Sequence, residues 1–422
     1  MRCLSWYNNR KASHFYLFKG EIMNQPIVFN KPFVTDDIIT QTHEIIKKQL
    51  FNAHALDQSL EDAFRTYANI ADSIRVYFTQ SATQALEMMA LTLGLGEGDE
   101  VIMPSYTYAA TANAFARLGV KIVFADMESG TMNLSAATVE PLISDRTKAV
   151  VPIHYGGIAA NLSELMTLSK KYGFFVLEDA AHGIGASYQG NPLGSIGHMG
   201  CISFHHTKNI SAGGSGGVLM INTKAIHSSK LITMVEEVYQ QGTDRHAFLK
   251  GEVNHYNWQR LGGEFEMSAF NKAYLTHALP SLKEITDKRL ALWHRYNTKI
   301  KDFLVEYGLE ERVFLPKVSN DTAGNGHIFQ IVFDSIEMRD SFRRAMSENG
   351  IDVYTHYEPL HLSMAGKRYG VTRYLLEETR KVSNGLIRLP IYEALTLEDQ
   401  DRILKAVDHF LSEIKFGDGF SD

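Results

Sequence analysis

Between residues 76 and 222 the chain repeats one pattern, a short apolar run followed by a stretch of helical character. The runs are VYF at 76–78, EVIM at 100–103, KIVFA at 121–125, KAVVPI at 148–153, FFVLE at 174–178, CISF at 201–204 and GVLMI at 217–221. Runs that stay apolar without alternating suit strands buried on both faces, and the stretches between them, the first from Thr83, suit helical crossovers. The pattern therefore predicts an α/β fold built on a mostly parallel sheet.

Beyond that region, Ile285, Leu292, Trp293, Tyr296, Ile300, Phe303 and Leu304 recur at helical spacing, the stripe of one long amphipathic helix over 282–308 that could bridge two units. After Gly308 the chain offers strands at HIFQIVF (327–333), IDVYT (351–355) and LIRLP (386–390), and helices at 337–348 and 397–414, enough for a smaller α+β unit. At about 150 residues per domain, 422 residues make two or three units. The expected organisation is a tail or upstream extension over 1–22, an N-terminal segment over 23–58, a large α/β domain over 59–281 and a small C-terminal α+β domain over 282–422.

Forty-two Lys and Arg against 48 Asp and Glu leave a formal charge of -6, which gives no general attraction to nucleic acid or anionic lipid. Cys3 and Cys201 are too few for a disulfide framework or a four-cysteine zinc site and suit a reducing cytoplasm; Cys201, inside GCISF, reads as core. Every apolar run is interrupted before the roughly 18 to 20 residues that a spanning helix needs. A soluble cytoplasmic protein is expected.

Several catalytic signatures fail on context. Gly94, Gly96 and Gly98 have the wrong spacing for a dinucleotide fingerprint and precede a strand, and there is no Gly-Lys-Ser/Thr loop or His-Glu-x-x-His. Gly213 to Gly217 matches the hydrolase elbow formally, but a strand follows it where a helix should.

What remains is a set of residues at the carboxyl edge of the sheet, where open α/β sheets place ligands. Asp179 follows FFVLE; a carboxylate there needs a partner, and a protonated pyridine nitrogen is one. A helix cap or salt bridge is the ordinary alternative. Lys208 lies just past CISF, where a desolvated amine can form a Schiff base with an aldehyde cofactor, although a surface lysine is the commoner case. Ser203 and the glycine stretch 213–217 offer a hydroxyl and open amides to a phosphate. Thr79-Gln80-Ser81-Ala82-Thr83, between strand and helix, offers a second such element or a plain cap. Tyr106 and Tyr108, after EVIM, can stack on a flat ring or simply line the rim.

Together these motifs resemble the DegT/StrS-type sugar aminotransferases that depend on pyridoxal 5'-phosphate (PLP). The likeness runs from about Pro26 onward and is carried by MPSYTYAATANAF (103–115), LEDAAHGIG (177–185), SFHHTKNISAGGSGG (203–217) and HYEPLH (356–361). It implies fold-type I, with a mostly parallel large-domain sheet. It also implies Lys208 as the lysine that holds the cofactor's aldehyde, Asp179 as the pyridinium partner and Tyr108 as the stacking ring. By the same likeness His182 lies near the phenolic oxygen, and Ser81, Ala82 and Ser203 lie near the phosphate. Residues 242–263 and the run HYEPLH…AGKRYG look most like members that move an amino group from L-glutamate to a dTDP-4-keto-6-deoxy sugar, giving dTDP-4-amino-4,6-dideoxygalactose for surface polysaccharides. Arg245, His327, His356, Tyr357 and His361 are then candidates for holding the nucleotide sugar or the donor carboxylate, and a homodimer with shared sites is implied. A 3-amino-sugar aminotransferase, a sugar dehydratase and a non-catalytic cofactor-binding sensor are the competing readings; retention of Lys208 argues against the dehydratase. The chain departs from the family at Ser215, where relatives carry Glu, and at Glu264, where many carry an Asn that reaches across the dimer to the phosphate.

Overall fold

The computed structural model describes residues 25–49 and 53–416; the expected 1–22 tail lies outside them. In chain order the strands are β1 (Ile74–Thr79), β2 (Glu100–Pro104), β3 (Lys121–Ala125), β4 (Thr147–Val150), β5 (Phe175–Asp179), β6 (Ser187–Tyr188) and β7 (Asn191–Pro192). They continue with β8 (Met199–Ser203), β9 (Gly217–Asn222), β10 (Val313–Phe314), β11 (Thr322–Ala323), β12 (Phe329–Phe333), β13 (Gly370–Thr372) and β14 (Leu386–Leu389). An eight-stranded sheet takes the order β1-β9-β8-β5-β4-β2-β3-β13. Only β9 opposes its neighbours; every other pairing in this sheet is parallel. Parallel neighbours put the carboxyl ends of β2, β5 and β8 on one edge, and the turn after β1 and the start of β9 meet them there.

The alternating side chains explain why the strands are apolar throughout. Ile102, Val123, Val150, Val176 and Ile202 enter one buried cluster, while Val101, Ile122, Ala149, Leu177 and Cys201 enter another. Successive strand residues point to opposite faces, so both faces are covered. A third cluster joins β12 and β14 to the helices Ile336–Glu348 and Leu397–Phe416.

The helix Leu282–Tyr307 runs between these cores, with Leu282 and Ile285 in the first cluster and Leu292, Tyr296, Ile300 and Leu304 in the third. Gly308 ends it at φ 69°, a left-handed cap that a residue with a Cβ adopts at a cost.

Two expectations need correction. Residues 351–355 form no strand: Ile351 and Tyr354 make single bridges, to Ile27 and Arg388. Only one backbone pair, Tyr354 with Arg388, faces β14, too little for a ladder. Conversely, the unforeseen β13 leaves the C-terminal part of the chain and joins the large sheet beside β3, and Ile27 is tied to Gly350 and Asp352 by backbone bonds. The chain therefore crosses the boundaries drawn at 58/59 and 281/282. Among the described residues no helix is long and apolar enough to cross a membrane.

Candidate active site

At the carboxyl edge of the large sheet lies a cavity of about 780 Å³ lined by Ser81, Ala82, Tyr108, Asp179, His182, Ser203, Lys208, His327, His356 and Tyr357 among others. That volume lies within the range of roughly 300 to 1,000 Å³ typical of small-molecule sites. Asp179 is the last residue of β5 and is only 6% exposed. Thr111 Oγ1 donates to its Oδ2 at 2.7 Å and the Ala181 amide to its Oδ1 at 3.1 Å. The Cys201 thiol also donates to Oδ1, at 3.9 Å, so it is Oδ2 that keeps a lone pair for a further donor. Lys208 follows β8 after a short turn in which its amide donates to the His205 carbonyl. Burial lowers its pKa to about 8; the Asp179 carboxylate opposes that shift and the Arg388 guanidinium adds to it. A lysine held there spends a sizeable fraction of its time as the nucleophilic free amine near neutral pH. Cys201, on β8, is fully buried, and burial pushes its thiol well up.

Part of the cavity lining comes from the turn where β1 meets the helix Ala82–Thr92. Ser81 caps that helix, its Oγ accepting from the Gln84 amide at 3.2 Å. The capping reading and the ligand reading thus coexist, because the first-turn amides of Ala82 and Thr83 remain unpaired among the described residues. Ser203, at the end of β8, and Ser215 face the same cavity, and Ser215 Oγ donates to the Gln80 carbonyl at 2.8 Å. Gly217 opens β9 so close to this turn that a Cβ would stand 2.4 Å from the Ala82 nitrogen. The Glu264 carboxylate turns to the Gln241 side-chain amide, while its carbonyl accepts from Gln80 Nε2 at 3.1 Å.

The opposite wall is aromatic and uncharged. His182 and His327 lie with ring centroids 4.5 Å apart, and His356 stacks on Tyr357 at 3.6 Å. Burial, reinforced by the positive charges of Lys208 and Arg388, pulls all three imidazoles down, His356 to about 2, so all are neutral. The Gly156 amide donates to His182 Nδ1 at 3.2 Å, which leaves the proton on Nε2. Tyr155 pairs its hydroxyl with His356 Nδ1 at 3.0 Å. Tyr108 is 66% exposed at the mouth, while Tyr106 is fully buried and does not line the cavity.

Two expected contacts are absent from this cavity. His361 Nδ1 is spent on Ser105 Oγ at 2.7 Å, with its ring against Phe124. Arg245 opens a short exposed helix, Arg245–Leu249, away from the lining. In their place the structure supplies Arg289 and Arg388. Arg289 is 4% exposed and donates to the Gly326 and His327 carbonyls. Arg388 keeps a buried Nε that has no hydrogen-bond partner among the described residues. Both were signalled as cations in apolar contexts, Arg289 on the buried stripe of its helix and Arg388 inside LIRLP. The lining thus carries Lys208, Arg289 and Arg388 against Asp179 as its one carboxylate, a charge balance that calls for anionic ligands.

This donor set fits PLP: a desolvated amine, a carboxylate with a lone pair to spare, an aromatic ring at the mouth, and a helix start flanked by serines. The fold is shared with solved aminotransferases. DesV of S. venezuelae, in complex with a ketimine intermediate, is 25% identical with a TM-score of 0.73, covering 92% of this chain and 99% of that one. Spr1654 of Streptococcus pneumoniae in its PLP form is 21% identical at a TM-score of 0.79, covering 92% and 99%. A pleiotropic regulatory protein of Geobacillus stearothermophilus is 29% identical over 78% of this chain and 83% of its own. The architecture is fold-type I of the PLP-dependent transferases, and PLP is the cofactor. Residues 32–408 match the DegT/DnrJ/EryC1/StrS aminotransferase family, to which this chain belongs.

Proposed function

We propose that this aminotransferase moves the amino group of L-glutamate to dTDP-4-keto-6-deoxy-D-glucose, giving dTDP-4-amino-4,6-dideoxy-D-galactose for surface polysaccharide synthesis. The observation that carries this reading is the division of the cavity, with surplus cations for carboxylate and phosphate groups and a wall of neutral imidazole and phenol for a polyhydroxylated ring. PLP, when bound, supplies an aldehyde that condenses with amines and a ring that accepts the electron pair of a broken C–H bond. Lys208 Nζ takes the α-proton of the donor and in the return half-reaction delivers a proton to the sugar carbon. Asp179 holds the proton of the ring nitrogen. Ser81, Ala82, Ser203 and Ser215 hold the phosphate, and Tyr108 covers the ring. His182, His327, His356 and Tyr357 orient the sugar. The protein works as a homodimer with shared sites, in which the exposed Arg245 serves the partner's cavity.

A non-catalytic reading is favoured by one observation, the regulatory name of the Geobacillus relative. A product assay with L-glutamate separates them. The 4-keto sugar should yield the 4-amino product; amination of the 3-keto isomer alone would make this a 3-amino-sugar enzyme, and a cofactor spectrum unchanged by glutamate would make it a sensor.

A further inference from the structure

Asn209, the residue after Lys208, is 3% exposed and reaches into the segment that precedes β12. Its Nδ2 donates to the Asn325 carbonyl at 3.0 Å, and its Oδ1 lies 2.8 Å from His327 Nδ1. The opposite amide orientation would set Oδ1 against the Asn325 carbonyl, acceptor facing acceptor, so the orientation is fixed. An oxygen facing Nδ1 requires that Nδ1 carry the proton, and a neutral imidazole has only one. His327 Nε2 is therefore a lone pair, with no hydrogen-bond partner among the described residues, on a ring that lines the cavity.

The rest of the cradle holds the same ring. Asn325 is fully buried; its Oδ1 accepts from the His327 amide at 3.0 Å, and its Nδ2 donates to the His182 and Ile184 carbonyls. Arg289 bonds the Gly326 and His327 carbonyls from behind. Three segments distant in sequence thus converge on a single imidazole.

We propose that Asn209 is a positioning residue that fixes His327 in the Nδ1–H tautomer, so that Nε2 accepts a hydrogen bond from a hydroxyl of the keto sugar. A carboxylate, a phosphate or a ketone oxygen brings only acceptors and is repelled by that lone pair. Lys208, Arg388 and His182 Nε2 present donors, so the cavity offers this acceptor to a group that itself donates. The ligand half of this proposal rests on the sugar reading given above; the tautomer half does not.

The test uses the holoenzyme labelled with 15N-histidine. In the wild type, NMR should place the His327 proton on Nδ1; a proton on Nε2 overturns the proposal whatever the variants do. Asn209→Leu, which removes the acceptor, should release the tautomer and raise the KM for dTDP-4-keto-6-deoxyglucose about tenfold, the effect of one lost hydrogen bond of ordinary strength. The rate at which L-glutamate aminates the cofactor should stay within about twofold. Asn209→Gln, which keeps an amide able to donate to the Asn325 carbonyl and to accept from Nδ1, should restore both the tautomer and part of the KM. An unchanged tautomer in Asn209→Leu, or equal losses in both half-reactions, would show a purely structural role. Should neither keto sugar be a substrate, the hydroxyl assignment falls with the substrate reading, while the NMR result still decides the tautomer.

Discussion

Lys208 sits between opposing influences, burial that disfavours its ammonium form and the Asp179 carboxylate that favours it. The resulting pKa of about 8 makes a signed prediction. An amine becomes nucleophilic only when deprotonated, so the rate at which cofactor-free protein takes up PLP should rise with pH and level off above about 8. In Asp179→Asn the supporting negative charge is gone, and the midpoint should move lower. A midpoint that moves higher, measured by absorbance after borohydride trapping, would mean that the carboxylate does not act on this amine. The identity of Asp179 and Lys208 as candidates was legible because both stand at the ends of apolar strands. The cradle around His327 was not: Asn209 and Asn325 are ordinary loop asparagines in sequence, and only folding makes one face the other's carbonyl.

The strands were legible because a sheet covered on both faces demands apolar residues at every position, which leaves a continuous run. The failures have the same root. β13 has three residues, too short for any periodicity, and it fits only because Gly370 lacks a Cβ, which would stand 2.3 Å from the Phe124 ring. IDVYT has strand composition but no second neighbour along its length to complete a ladder. In the proposed reading, the contact of β9 with the helix Ala82–Thr92 shapes the turn that holds the cofactor's phosphate. In Gly217→Ala the new methyl must displace the first turn of that helix. Weakened PLP binding by at least about tenfold is expected, with a lower unfolding midpoint, since overpacking of this kind costs roughly 1 to 3 kcal/mol. Unchanged PLP affinity by titration would place the phosphate elsewhere.

For the whole molecule, the exposed apolar residues Leu249 (64%), Trp258 (74%) and Leu261 (64%) lie on the same stretch of chain that begins near Arg245 and returns to the turn after β1 at Glu264. Their exposure supports the proposed homodimer, because isolated large apolar side chains are common on surfaces but a run of them marks an interface. If the sites are shared, Lys208→Ala and Arg245→Ala should each be inactive alone. Mixed and refolded together, they should regain turnover through dimers with one intact site. Inactivity of the mixture, with exchange verified by differential tagging, would confine each site to a single chain. The sequence by itself determined the strand order of events along the chain, the buried character of the sheet and the chemical types at its carboxyl edge. These follow from local rules, since periodicity and strand-end position depend on near neighbours. Only the tertiary structure decided that His361 and Arg245 stand outside the cavity while Arg289 and Arg388 stand inside it, and which nitrogen of His327 is free. Those outcomes depend on the direction of single side chains across segments more than a hundred residues apart in the chain, as in the bond from Asn209 to His327, and no local pattern encodes that direction.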